Sequence, residues 1–145
     1  MSESIREFGD LVPEAKYVLR PGGYSVIHGL GRQIAVVSTR GSFYLPGGGQ
    51  NAGETAEDAA VREAWEECGL GIRVVQHLGI ADELVYAADE QTHFRKRCAF
   101  FRAELVADVA GIGEADHTLV WLPAIKAISL LRHRSQRWAV EECAA

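Results

Sequence analysis

The stretch from Gly48 to Leu70, GGQNAGETAEDAAVREAWEECGL, decides how the rest of the chain is read. Its first third is glycine-rich and polar, and the run AEDAAVREAWEEC that follows is made of good helix formers. Thr55, with Asp58 three residues on, resembles a capping box with Asp in place of Glu. Gly69 supplies a natural C-cap, so the pattern predicts a helix over 56–68. Ala56, Ala60 and Ala64, with Val61, Trp65 and Cys68, are the expected apolar side. Glu63, Glu66 and Glu67 then share one face, because spacings of three and four return to the same side of a helix. Each like-charge pair costs roughly 0.2–0.5 kcal/mol, and the negative end of the helix dipole adds to that cost. Such a face is either fully solvated or built around a cation. Hard divalent ions take oxygen ligands and bridge to substrate phosphate.

The spacing of the surrounding residues separates those alternatives. Gly48, Glu54, Arg62-Glu63, Glu66-Glu67 and Gly69-Leu70 follow the pattern G-x5-E-x7-R-E-U-x-E-E-x-G-U, with U a bulky aliphatic residue. This resembles the signature of the Nudix hydrolase family, and YLPGGG just before it looks like the family's usual lead-in. All seven polar and glycine positions match; the one departure is Ala64 at the first U. The motif spans 23 of 145 residues. The resemblance implies an α/β (α+β) fold, a Nudix-type α/β/α sandwich with a mixed sheet between helices. It also implies a Mg²⁺-dependent pyrophosphohydrolase, with Mn²⁺ as the alternative ion, acting on a nucleoside diphosphate linked to another group.

Residue by residue, the resemblance assigns Glu66 and Glu67 as metal-binding carboxylates, with the Gly47 carbonyl as a further ligand. Glu63 matches a metal ligand, a general base, or both; Glu63 and Glu67 are the catalytic candidates. Glu54 and Arg62 match positions that hold loop and helix together, and Gly48 and Gly69 supply backbone geometry. Family members often use another acid in the loop before a late Trp-containing strand. Glu114 and Asp116 precede Trp121, and Glu114 is preferred for its longer reach. Candidate substrate contacts are Arg40, just before the glycine-rich loop, Tyr86, and Arg95 in the basic cluster His93–Arg97. Strand alternation puts Arg95 and Arg97 on one face and Lys96 on the other. The five histidines are scattered and read as surface or core residues, and Trp65, Trp121 and Trp138 as packing residues.

Two rivals stand beside this reading. A non-catalytic nucleotide-sensing module of the same family would be expected to lose motif carboxylates, and none is lost here. An allylic diphosphate isomerase would need an acid–base pair such as a Cys with a Glu. Cys68 and Cys98 are available, but nothing nearby marks either as activated.

Outward from the motif, residues 1–14 form a polar lead-in, and 15–145 are expected to make one domain. KYVLR, a turn at Pro21-Gly22-Gly23, YSVIHGL, a turn at Gly29–Arg32, QIAVVSTR and SFYLP predict a meander of antiparallel strands. Gly47–Gly49 is expected to be a loop that opens the helix. Two long strand-type stretches, 72–87 and 92–108, flank an acidic turn at Ala88–Gln91. A loop through Gly111 and Gly113 leads to the strand TLVWLP; AIKAISLL is helical, and RHRSQRWAVEE reads either as a second helical turn or as a tail.

Composition agrees with a globular chain: 48% hydrophobic, 24% charged and net −5. Six acids and one base lie between Gly48 and Leu70, so the remaining fourteen acids and fourteen bases cancel and the excess charge is local. A nucleic-acid-binding module would show a basic face instead, so no nucleic-acid partner is expected. The three cysteines are odd in number and unpaired in sequence, which points to free thiols in a reducing compartment. No signal peptide and no apolar run of about 20 residues is visible. A cytoplasmic enzyme with a small-molecule nucleotide partner and no membrane partner is the expectation, with a homodimer compatible.

Overall fold

The structure, a computed structural model, describes residues 5–109 and 113–144. Its elements run β1 (Arg6–Phe8), β2 (Tyr17–His28), β3 (Gln33–Thr39), β4 (Ser42–Tyr44), β5 (Gly47–Gly49), α1 (Ala56–Cys68), β6 (Leu70–Ala87), β7 (Thr92–Asp108), β8 (Thr118–Pro123), α2 (Ala124–Leu130) and α3 (Arg134–Ala144). A single turn of 3₁₀ helix, Leu30–Arg32, joins β2 to β3. The strands form one mixed sheet in the order β1-β6-β7-β2-β3-β4, with β5 on β2 and β8 on β3.

Strand alternation divides the core into two layers. Val26, Ile34, Val36, Cys98 and Phe100 pack with Leu131, Ala139 and Val140 of the α2–α3 side. Ile27, Ala35, Val37 and Ala103 pack on the other side with Ala64, Cys68 and Leu70. The fold is therefore an α/β/α sandwich around a mixed sheet. Phe100 is fully buried between Tyr24 and Trp138, with ring centroids 5.8 and 6.1 Å away. Phe100→Ala should cost about 3–5 kcal/mol, read by urea denaturation, because a cavity at the sheet centre cannot collapse. A loss below 1 kcal/mol would contradict this packing.

The helix over 56–68 forms with both halves of its capping box, and Gly69 ends it in the left-handed region at φ 69°. Its buried face differs from the expected one. Ala59, Ala60, Ala64 and Cys68 are buried, whereas Val61 is 38% and Trp65 42% exposed. Small side chains let the helix lie close on the sheet, and no room remains beneath it for an indole. The long hairpin β6–β7 turns at Ala88–Gln91, β8 and α2 fall where the C-terminal pattern put them, and the segment read as helical turn or tail is the helix α3. Gly111 of the expected loop lies outside the described residues.

The N-terminal half departs from a simple meander. Tyr17–His28 is one strand, with no turn at Pro21-Gly22-Gly23, and it pairs in parallel with β7 along its whole length. Its glycines serve close approach. A Cβ on Gly23 would stand 1.9 Å from the Ala56 carbonyl oxygen of α1, and one on Gly22 would stand 2.5 Å from that of Gly48. Gly47–Gly49 is likewise a short strand, antiparallel to Gly22–Tyr24, where a loop was expected. Phe8 at the end of β1 packs against the core beside Trp138, so part of the polar lead-in joins the sheet edge.

Candidate active site

The site forms where the last turns of α1 meet β5. Glu67 is mostly buried, and its Oε1 accepts a 2.8 Å hydrogen bond from the Gly47 N–H. Burial, with repulsion from Glu63, pushes the Glu67 carboxyl up to about 7, against the Gly47 hydrogen bond that pulls the other way. Burial also raises Glu63, although Arg62 holds it by a charged hydrogen bond. Glu63 lies directly on Gly48: a Cβ there would be 2.6 Å from its Oε2. Gly48 thus leaves the space that the carboxylate fills. Gly47 is equally constrained, since a Cβ would meet Tyr24 at 2.3 Å.

Arg62 ties this corner together. Its Nε donates to Glu54 Oε2 at 2.7 Å and its Nη2 to Glu54 Oε1 at 3.0 Å. A further bond runs from Nη2 to the Gly49 carbonyl at 2.9 Å, and Nη1 reaches Glu66 Oε2 at 3.0 Å. Glu54 also accepts from the Asn51 N–H at 2.7 Å, so its carboxyl is held below the usual range, mainly by Arg62. One guanidinium fork therefore fixes the glycine-rich segment to the helix, a geometry that Lys cannot reproduce. Arg62→Lys should lower activity by roughly 10-fold or more while the protein still folds, because a loosened supporting shell misplaces the carboxylates. Circular dichroism and initial rates would check both halves, and wild-type rates would contradict the bracing role.

His117 is the participant that sequence reasoning passed over. Its Nε2 lies 3.5 Å from Glu67 Oε2, and its Nδ1 lies 2.8 Å from Asp116 Oδ1 and 3.3 Å from Glu114 Oε2. Glu114, Asp116 and His117 offer ligand atoms within 4.8 Å of one another, so they could hold a cation. The signal available in sequence was the spacing Glu114-x-Asp116-His117 just ahead of the Trp121 strand. A lone histidine there looks ordinary until the fold swings it onto Glu67.

Of the other expected residues, Arg40 and Tyr86 line a second cavity that adjoins this corner, and Arg95 is paired elsewhere. Arg40 sits exposed at the tip of the β3–β4 hairpin, where Arg40 and Gly41 both take positive φ as a two-residue turn requires. Arg95 is spent on Asp82 at 3.1 Å and on Glu7 at 2.6 Å. Tyr86 is 55% exposed and packs its ring at a tilt against His93, with centroids 4.7 Å apart. Cys68 and Cys98 are buried, and burial pushes both thiols up to about 12. Neither thiol is activated for acid–base work. A cavity of about 280 Å³ opens beside Glu67 and His117, lined also by Tyr24, Tyr44, Arg20 and Lys96. Among the described residues, no helix is long and apolar enough to cross a membrane.

Residues 25–141 match the family model described as NUDIX domain. The fold is similar to a NUDIX hydrolase from Nitrosomonas europaea, with TM-score 0.71 and 18% identity over 86% of this chain and 88% of that one. It is also similar to a MutT NUDIX hydrolase from Burkholderia pseudomallei, with TM-score 0.62 and 24% identity over 86% and 98% of the two chains. The E. coli dihydroneopterin triphosphate pyrophosphohydrolase superposes with TM-score 0.65 and 22% identity over 84% and 92%. A Caenorhabditis elegans protein named "Putative nudix hydrolase 1" is 48% identical over 48 residues, which are 33% of this chain and only 13% of that protein. With a family match across most of its length and the sandwich fold to go with it, this chain belongs to the NUDIX family.

Proposed function

We infer that the protein is a Mg²⁺-dependent pyrophosphohydrolase of nucleoside diphosphates linked to another group, with Mn²⁺ as the alternative ion. The observation that carries this reading is the convergence of Glu63 and Glu67 on the Gly47-Gly48 backbone, with His117 and Glu114 facing them. The donor set fits a hard divalent cation: it is rich in carboxylate oxygen, and burial raises both Glu63 and Glu67. A cation relieves both burial and mutual repulsion. Glu63, Glu66, Glu67, Glu114 and the Gly47 carbonyl are the residues that would hold it. A bound ion supplies positive charge for the phosphate oxygens and acidifies water in the site.

The chain's own groups do the rest. Glu63 takes a proton from the attacking water as the new P–O bond forms and the bridging P–O bond breaks. The departing phosphate leaves with the electron pair. Arg62 keeps Glu63 from rotating away, and the Gly47 N–H orients Glu67. Positioning and electrostatics then supply most of the acceleration.

Chromatographic product analysis over a panel of nucleoside diphosphate derivatives, with and without Mg²⁺, tests the reading. Metal-dependent release of a nucleoside monophosphate or of pyrophosphate is expected. Glu63→Gln should lower turnover by roughly 10²–10⁴-fold, the usual cost of losing a general base. Full activity in Glu63→Gln would remove that residue as the base. No turnover anywhere, with nucleotide binding intact, would favour the non-catalytic sensing module.

A further inference from the structure

The cleft beside Glu67 runs into a second cavity of about 680 Å³, and the two share Arg20, Tyr44, Lys96 and His133. The basic stretch 93–97 is split by strand alternation at this junction. Arg95 and Arg97 turn to one face, where buried Asp82 takes both; Arg97 binds it twice, at 2.9 and 3.0 Å. Lys96 turns to the other face and lines the cleft, and among the described residues no carboxylate lies within 4 Å of its ammonium. Its neighbour in register on the adjacent parallel strand is Arg20. Like charges directly opposite across a strand pair are unfavourable.

The nearby acids offset only part of that cost. Glu83, in register with Lys96 on the other side, is buried and accepts the Ser135 N–H at the start of α3 at 2.9 Å. Arg20 reaches Glu90 only at 3.6 Å, with both side chains about half exposed, and such a pair contributes little. The Arg20 guanidinium lies over the Phe94 ring at 3.9 Å. Two cations thus stand side by side where the two cavities meet, and His133 borders the same junction, its ring against Tyr44.

We propose that Lys96 and Arg20 form an anion subsite that selects substrates carrying a further anionic group, a phosphate or a carboxylate, beyond the scissile diphosphate. This deepens the hydrolase reading and rests on it for the word substrate. Substrates whose second moiety is neutral, such as a nucleoside diphosphate hexose, gain nothing from the subsite.

Calorimetry in metal-free buffer separates the subsite from the hydrolytic reading, with inorganic tripolyphosphate and tricarballylate as probes. Lys96→Met should weaken the preferred probe roughly tenfold, the scale of one charged hydrogen bond. Lys96→Arg should restore it, and Glu67→Gln should retain it. Arg73→Met, which removes an exposed charge paired with Glu104, serves as the control for net charge. Preference for tripolyphosphate assigns the group as phosphate, and preference for tricarballylate assigns it as carboxylate. In turnover, Lys96→Met should raise KM roughly tenfold for a nucleoside triphosphate, with kcat nearly kept, and change a nucleoside diphosphate hexose less than twofold. Equal weakening by Arg73→Met, or unchanged probe binding in Lys96→Met, overturns the subsite. Absence of turnover with Lys96-dependent probe binding overturns the hydrolase reading and leaves the subsite standing.

Discussion

Glu67→Gln is expected to have opposite effects on activity and on stability. Turnover should fall at least roughly 10²–10³-fold, the scale of losing one preorganised electrostatic group in a buried site. The metal-free protein should become more stable above neutral pH. The sign follows from proton linkage: the Glu67 carboxyl titrates near 7 in the folded chain against 4.5 in the ordinary state. Between those values the folded state binds the proton more tightly. The contribution of this group to the stability of the metal-free wild type therefore falls as pH rises from 4.5 to 7 and levels off above, by about 3 kcal/mol. Glutamine carries no charge to bury, and it keeps an oxygen for the Gly47 N–H. Urea unfolding at pH 5 and pH 8 in EDTA checks this. The wild type should lose more stability between the two than Glu67→Gln, which keeps only the raised Glu63. Mg²⁺ should restore the wild type at pH 8 and do little at pH 5, because a metal competes with the proton for the carboxylates. Equal pH dependence in the wild type and Glu67→Gln would mean that Glu67 is not buried as described.

Gly23→Ala should damage the fold more than any other single methyl addition to the sheet. The new Cβ would stand 1.9 Å from the Ala56 carbonyl oxygen, 2.9 Å from its carbon and 3.0 Å from the Ala60 nitrogen. All three atoms are helix backbone, so no rotamer change can relieve the clash. The whole first turn of α1 must lift from β2. Overpacking of this kind costs about 3 kcal/mol or more when backbone must move. Because α1 also carries Glu63 and Glu67, activity should fall even in the fraction that folds. Gly31→Ala is the comparison, since a methyl there meets nothing within 4 Å and bears only the left-handed φ of 64°. It should cost about 1–2 kcal/mol. Equal stability of the two variants would rule out the close packing of α1 on β2.

The helix from Ala56 to Cys68 was legible in sequence to the residue, because its start and stop signals are local: Thr55 with Asp58 at one end and Gly69 at the other. The long hairpin of β6 and β7 was legible for the same reason, two continuous runs around a polar turn. Reading Pro21-Gly22-Gly23 as a turn failed because a glycine leaves the same mark whether it bends the chain or admits a neighbour. Here the neighbours were the backbones of Ala56 and Gly48, from more than twenty residues away. The helix's buried side was misjudged likewise, since period alone cannot tell that alanines, and not Trp65, would meet a closely packed sheet.

The sequence by itself determined the family, the acidic helix face and the spacing of its carboxylates, all of which follow from residues within one 23-residue stretch. Only the tertiary structure decided which charges stay available. Arg95 and Arg97 were taken by Asp82 across the hairpin, Lys96 was left facing the cleft, and His117 was carried onto Glu67. These outcomes depend on strand register and on parallel pairing between segments about seventy-five residues apart, such as Arg20 with Lys96. Long-range pairing of that kind is set by burial of the whole core, and no local pattern encodes it.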